Sequence, residues 1–257
     1  MERNSVILCL LCWLSLAAVP AQADVQYLSQ ARSVSAQNSE GASASAAAPD
    51  FAPFAASARV SWEYTGPRLP PGTGTQRYSA TALQDSVLSL QEITAQGYAD
   101  DVEPFYHYVD FGQESLSDFH VVFATDASYE FLLTGRIEAW GDYGGTDYGT
   151  YLAKVEWSDD MGPLVSASVD PATPLHPGSQ VLDLYETFIV DPGVYTLDVR
   201  ASAQGWGGPG PEGPGRGGSG GAEYDLRLTV IPAPAVLPLA LCGLGAVAFL
   251  KRRKILP

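Results

Sequence analysis

Basic residues, cysteine and histidine are all scarce in this sequence, and each shortage closes off a class of function. Its 257 residues carry 14 Lys+Arg against 29 Asp+Glu, a formal net charge of −15. Nucleic acid needs clustered cations on its partner, so this balance argues against it. Three Cys and three His leave little for a thiol enzyme or a transition-metal centre. Cys9 and Cys12 fall in an apolar run near the start, and Cys242 falls in another near the end. The chain between them has no disulfide, so core burial, ion binding or assembly must stabilise it. Amphipathic helix is missing as well: outside the two ends no window sustains apolar residues at i, i+3, i+4 and i+7.

The ends read as targeting segments. A short start with Arg3 leads into a 14-residue, largely apolar run from Val6 to Val19, then Pro20 and Ala21-Gln22-Ala23. That layout predicts a signal peptide over 1–23, cut by signal peptidase to leave Asp24 as the mature N-terminus. A run of 14 residues covers only about 21 Å of a roughly 30 Å hydrocarbon core, too little for a permanent span. At the other end, Ile231 to Leu250 gives twenty uncharged residues, followed by Lys251, Arg252, Arg253 and Lys254. This predicts one transmembrane helix whose basic cluster stays cytoplasmic and whose preceding chain lies outside. Both ends predict the same topology.

Ile231, Pro232, Ala233, Pro234 and Ala235, a short glycine-containing apolar helix and a terminal basic cluster together resemble the PEP-CTERM sorting signal of Gram-negative bacteria. The motif is closest to its VPxPA variant, with Ile231 in place of valine and Ala233 in place of the usual glutamate. The resemblance implies recognition of residues 231–235 by an exosortase and removal of the helix, so that 231–257 is a sorting signal.

Between the ends the chain divides into zones. Residues 24–58 are rich in Ala and Ser and hold few large apolar side chains, which predicts a flexible leader with at most an edge strand. Residues 59–230 read as about ten short alternating strands, an all-β antiparallel sandwich. Residues 205–221 hold ten Gly and three Pro and read as one long flexible loop. The run from Asp191 to Arg200, followed by Tyr224–Val230, resembles the terminal hairpin of jelly-roll ectodomains found on PEP-CTERM proteins. Once the end segments are set aside, 28 acids and 9 bases remain, counted by removing Glu2 from the acids and Arg3 and the tail cluster from the bases. Such acidity suits solubility and a hard cation.

Candidate chemistry is sparse. Asp142 and Asp147 sit on the glycine-rich run Gly141–Gly149, where carboxylates and free carbonyls suit Ca²⁺; a solvated acidic turn is the plainer reading. A second carboxylate cluster is Asp100, Asp101 and Glu103. Trp140 and Trp206 lie near loops and are the better candidates for stacking on sugar rings, whereas alternation places Trp62 and Trp157 in the core. Gly217–Gly221 fits G-x-S-x-G but lacks the strand–turn–helix setting a nucleophile elbow needs. His107, His120 and His176 share no ligand spacing. No catalytic residues are expected, and no cofactor beyond a possible calcium ion. The expectation is an exported, non-enzymatic surface or matrix protein in an exopolysaccharide or biofilm setting. A carbohydrate-binding module on the same scaffold is the first alternative, and a secreted hydrolase the second.

Overall fold

The computed structural model describes residues 25–68, 72–102, 111–142, 148–171, 178–207 and 219–231. The expected signal peptide, most of the sorting signal and the terminal helix lie outside these residues. Twelve strands follow in order: β1 (Val25–Asn38), β2 (Ser43–Ala47), β3 (Phe54–Arg68), β4 (Gly72–Leu88), β5 (Glu92–Val102), β6 (Phe111–Thr125), β7 (Tyr129–Asp142), β8 (Tyr148–Asp159), β9 (Gly162–Val169), β10 (Gly178–Val190), β11 (Gly193–Gly207) and β12 (Ser219–Ile231). Among the described residues there is no helix.

The strands form two six-stranded antiparallel sheets. One runs β2-β1-β6-β11-β8-β9 and the other β10-β7-β12-β5-β4-β3. The last eight strands pair in a nested series: β8 with β9, β7 with β10, β6 with β11 and β5 with β12. A long double strand folded over on itself gives this order, with successive turns passing from sheet to sheet. β1 and β2 then extend one sheet beyond β6, and β4 and β3 extend the other beyond β5.

Period-2 alternation builds the interior. Along β11, Tyr195, Leu197, Val199, Ala201 and Ala203 are buried, while Asp198 and Arg200 face water. Trp157 is fully buried and packs edge-on against Phe131 and Phe188, with ring centroids 5.6 and 4.9 Å away. Burying a side chain of this size contributes roughly 1.5–3 kcal/mol. Trp62 is only half-buried and stacks on buried Tyr78 at 4.7 Å. A separate core of small residues, Val34, Ala36, Ala58, Val60, Ala80 and Ala82, lies under β1, β3 and β4.

The structure departs from three expectations. Residues 25–58 are not a flexible leader: β1 is a 14-residue strand paired with β6 from Val25 to Asn38, β2 pairs with β1, and β3 begins at Phe54. A backbone ladder needs no large side chains, and small methyls let the sheets approach closely enough for Val34 and Ala36 to be buried. The run 205–221 is not all loop, because β11 continues to Gly207 and β12 starts at Ser219. Nor do β11 and β12 form a hairpin. They belong to opposite sheets, and the Asp191–Gly193 turn likewise joins strands of different sheets. That turn is tied down instead: Thr125 Oγ1 and Tyr195 OH donate to the Asp191 carbonyl at 3.1 and 2.7 Å, and Ser128 Oγ donates to its carboxylate at 2.9 Å.

The first and last described residues lie at the same end of the sandwich, in opposite sheets. Val25 pairs with Thr125 and Ile231 with Glu130, and these two partners flank the single turn between β6 and β7.

Candidate functional surface

On β7, Phe131, Leu133, Ile137 and Ala139 point inward. Alternation therefore sets Arg136, Glu138 and Trp140 on the outer face of the sheet. The next strand, β12, places Gly221 beside Trp140, and β5 places Asp100 on the far side of Gly221. The glycine decides what the indole does. A β-carbon at position 221 would lie 2.6 Å from Trp140 Cζ2 and 2.7 Å from the Ala99 carbonyl. With no side chain there, the indole covers the β12 backbone and reaches Tyr98 of β5, ring centroids 5.8 Å apart and planes at 37°. Trp140 and Tyr98 are half-buried.

Acidic groups rim this aromatic pair. Tyr98 OH donates to Asp100 Oδ2 at 3.0 Å. Burial pushes the Asp100 carboxyl above the usual carboxylate range, an effect the Tyr98 hydroxyl partly offsets. Burial and then the Asp100 carboxylate push the Tyr98 phenol up, so it remains a donor at neutral pH. Glu223 pairs in register with both Tyr98 and Glu138, and Arg136 Nη2 donates to Glu138 Oε2 at 2.5 Å. Chemically, the aromatic pair can offer apolar contact to the C–H face of a sugar, Glu223 beside it can accept from a hydroxyl group, and Arg136 can donate.

The other expected site residues do not join this surface. Trp206 lies on β11 in the opposite sheet from Trp140. Asp142 ends β7, with its backbone paired to Ser219, and Asp147 lies outside the described residues. Asp100 and Asp101 do not converge as a cluster: successive residues of a strand face opposite ways, and Asp101 is fully buried in the interior while Asp100 faces outward. Among the described residues no three His, Cys, Asp or Glu side chains gather to hold a metal. His120 lies on β6, with Nδ1 2.6 Å from Asp198 Oδ1; His107 and His176 lie outside the described residues. Ser219 of the G-x-S-x-G run opens β12, with no helix after it. Ile231 closes β12, and Pro232–Ala235 and Lys251–Lys254 fall outside.

Sequence reasoning missed Tyr98 and Gly221. Alternation in β5, with Ile93, Ala95 and Ala99 inside, marks Tyr98 as outward. Gly221 was hidden because its run of glycines reads as loop.

No protein-family model matches this chain, and no curated protein matches it. Among solved structures, the enzymatically active domain of bacteriophage CBA120 tailspike protein 4 is 12% identical with a TM-score of 0.19; the alignment covers 69% of this chain and 19% of that one. A structure of the infectious bursal disease virus Gt strain is 9% identical with a TM-score of 0.23, covering 85% and 68%. A GH31 α-xylosidase from Xanthomonas citri is 8% identical with a TM-score of 0.16, covering 74% and 30%. The chain thus spans about a fifth of the tailspike domain's length. Likenesses at these scores carry no functional argument.

Proposed function

We propose that this chain is an exported surface or matrix protein of the PEP-CTERM type, with a structural or adhesive role and no catalytic one. A signal peptidase releases it after Ala23, and an exosortase recognises residues 231–235 and removes the helix. In this reading the twelve strands are a jelly roll, supported by the nested pairing of the last eight, extended by β1–β4. The observation that carries the proposal is the placement of Val25 and Ile231, next to the signal peptide and the sorting motif in sequence. Val25 and Ile231 sit beside the same β6–β7 turn, so one end of the sandwich faces the membrane during export and the opposite end points away. Ile231, paired with Glu130, is the last described residue, and Pro232 follows it in the sequence. Prolines there cannot donate to a ladder and favour extended backbone, the form a protease-like enzyme binds. Replacing Pro232 and Pro234 by alanine in the native host tests this: export and membrane insertion should persist while processing stops. Unchanged processing of the variant would refute recognition at this motif.

The Trp140–Tyr98 surface favours a second reading, a carbohydrate-binding module on the same scaffold. Aromatic faces with carboxylate neighbours are suited to neutral polysaccharide, whereas the surplus of acids over bases opposes polyanions. Affinity electrophoresis through immobilised polysaccharides should show retardation that Trp140→Ala and Tyr98→Ala abolish. Equal mobility of variants and wild type would remove this reading and leave the export proposal standing.

A further inference from the structure

Each six-stranded sheet has two edges, and three of the four are strongly guarded against pairing with another chain. β2 is only five residues long. β9 is eight residues long, carries Pro163 and meets an irregularity between Trp157 and Ser158. β3 carries Arg59, Pro67 and Arg68. Short strands, prolines, bulges and charged side chains are the devices that keep sheet edges apart. β10 is the least guarded of the four, with Asp183 and Glu186 as its only such devices. It is 13 residues long, contains neither proline nor a basic residue, and pairs with β7 without a register shift from Gly178 to Val190. Among the described residues no strand lies on its other side.

Its side chains are those of an interface. Tyr185 and Ile189 are 77% and 82% exposed, and Val181 and Leu182 are exposed too. Val181, Tyr185 and Ile189 recur every fourth residue, so all three lie on one face of the strand. They are also symmetric about Tyr185. An antiparallel copy of the same strand, centred on Tyr185, sets Tyr185 against its own counterpart. Val181 then meets Ile189, Leu182 meets Phe188, Asp183 meets Thr187, and Leu184 meets Glu186. The only charged residues of the strand, Asp183 and Glu186, each meet a neutral residue and lie on opposite faces. No like charges stand directly opposite, Glu186 and its counterpart are diagonal on the other face, and each apolar side chain on the exposed face meets an apolar or aromatic one.

We infer that β10 is a homotypic interface, where a second copy of this chain adds its own β10 in antiparallel register about Tyr185 and joins two six-stranded sheets into one of twelve strands. A two-fold axis through Tyr185 closes the assembly as a dimer, because the pairing uses up the least guarded edge of each copy. This inference is independent of export and of sugar binding.

The register makes a specific test. The full-length chain with Cys9→Ser, Cys12→Ser and Cys242→Ser has no other cysteine. Directly opposed residues in an antiparallel pair have Cα atoms about 4.5–5.5 Å apart, within reach of a disulfide. On this background Tyr185→Cys should form a disulfide-linked dimer under mild oxidation. Val181→Cys and Ile189→Cys should each stay uncrosslinked alone and crosslink when mixed. In sedimentation the wild type should be a dimer. Tyr185→Lys, at an exposed position that leaves the fold intact by circular dichroism, should weaken it about tenfold or more, because two lysines then face each other. A wild type that stays monomeric up to its solubility limit would overturn the inference. So would a Tyr185→Lys protein that dimerises as well as wild type, or crosslinking by Val181→Cys alone.

Discussion

Trp140 lies where a side chain of Gly221 would be: a β-carbon at 221 would come within 2.6 Å of the indole. One strand's missing side chain thus shapes the neighbouring strand's aromatic surface. Gly221→Val should expel the indole and also strain β12, since the Ala99 carbonyl is 2.7 Å from the same point. Valine is otherwise favoured in strands, so a loss of about 1–3 kcal/mol would report this overpacking rather than propensity. Urea unfolding gives the loss, and the change in tryptophan emission, absent in a Trp140→Phe background, locates it. An unchanged spectrum would show that the indole does not depend on the glycine.

The crossover from β2 to β3 hangs on one buried cation. Arg32 is 1% exposed; its Nη2 donates to the Asp50 and Ala52 carbonyls at 2.6 and 2.7 Å, its Nε to Gln30 Oε1 at 3.0 Å and its Nη1 to Ser86 Oγ at 3.2 Å. Desolvation favours its neutral form, so its guanidinium pKa lies below the usual value. Arg32→Met should cost about 3 kcal/mol by leaving two carbonyls without donors, and Arg32→Lys should not restore it, because an ammonium lacks the planar fork. Both variants should be cut by chymotrypsin after Phe51 faster than wild type. Equal cutting would mean that the backbone alone holds the crossover.

Much of the fold was legible in the sequence and some of the site was not. Strands over 119–134, 151–157 and 194–200 follow from alternation of large apolar residues, which is also what buries Phe131, Trp157 and Leu197. β1 was missed because its inward residues include Val34, Ala36 and Arg32, too small or too polar to register as a hydrophobic face. Its stability comes from the β6 ladder, a long-range pairing that local composition does not reveal. Trp140 was legible as a candidate because it falls near a loop, and the alternation of β7 sets it on the outer face. Its partner Tyr98 required knowledge that β5 and β7 flank β12, a relation fixed only by the nested topology.

Alkaline pH should unfold the protein through a buried phenol. Tyr224 OH is within 2.9 Å of Gln84 Nε2 and 3.1 Å of Ser117 Oγ, and burial pushes its pKa from 10.0 up to about 12. The folded state therefore holds this proton more tightly than the unfolded chain. Stability is full below pH 10.0 and falls as pH rises toward about 12, by about 1.4 kcal/mol per pH unit for this group. Tyr27 and Tyr98, also raised by burial, add to the slope. Tyr224→Phe should lose about 1 kcal/mol at neutral pH yet show a shallower alkaline decline in urea titrations. Parallel pH profiles for the two proteins would contradict this role.

Export followed by removal of the C-terminal segment is tested most directly by the mass of the mature protein from its native host. Intact-mass and terminal-peptide analysis should find a chain that begins at Asp24 and ends within or just after residues 231–235, with the apolar run absent. A mature protein that still carries Lys251–Pro257 would contradict the sorting proposal and make the C-terminal segment a permanent anchor.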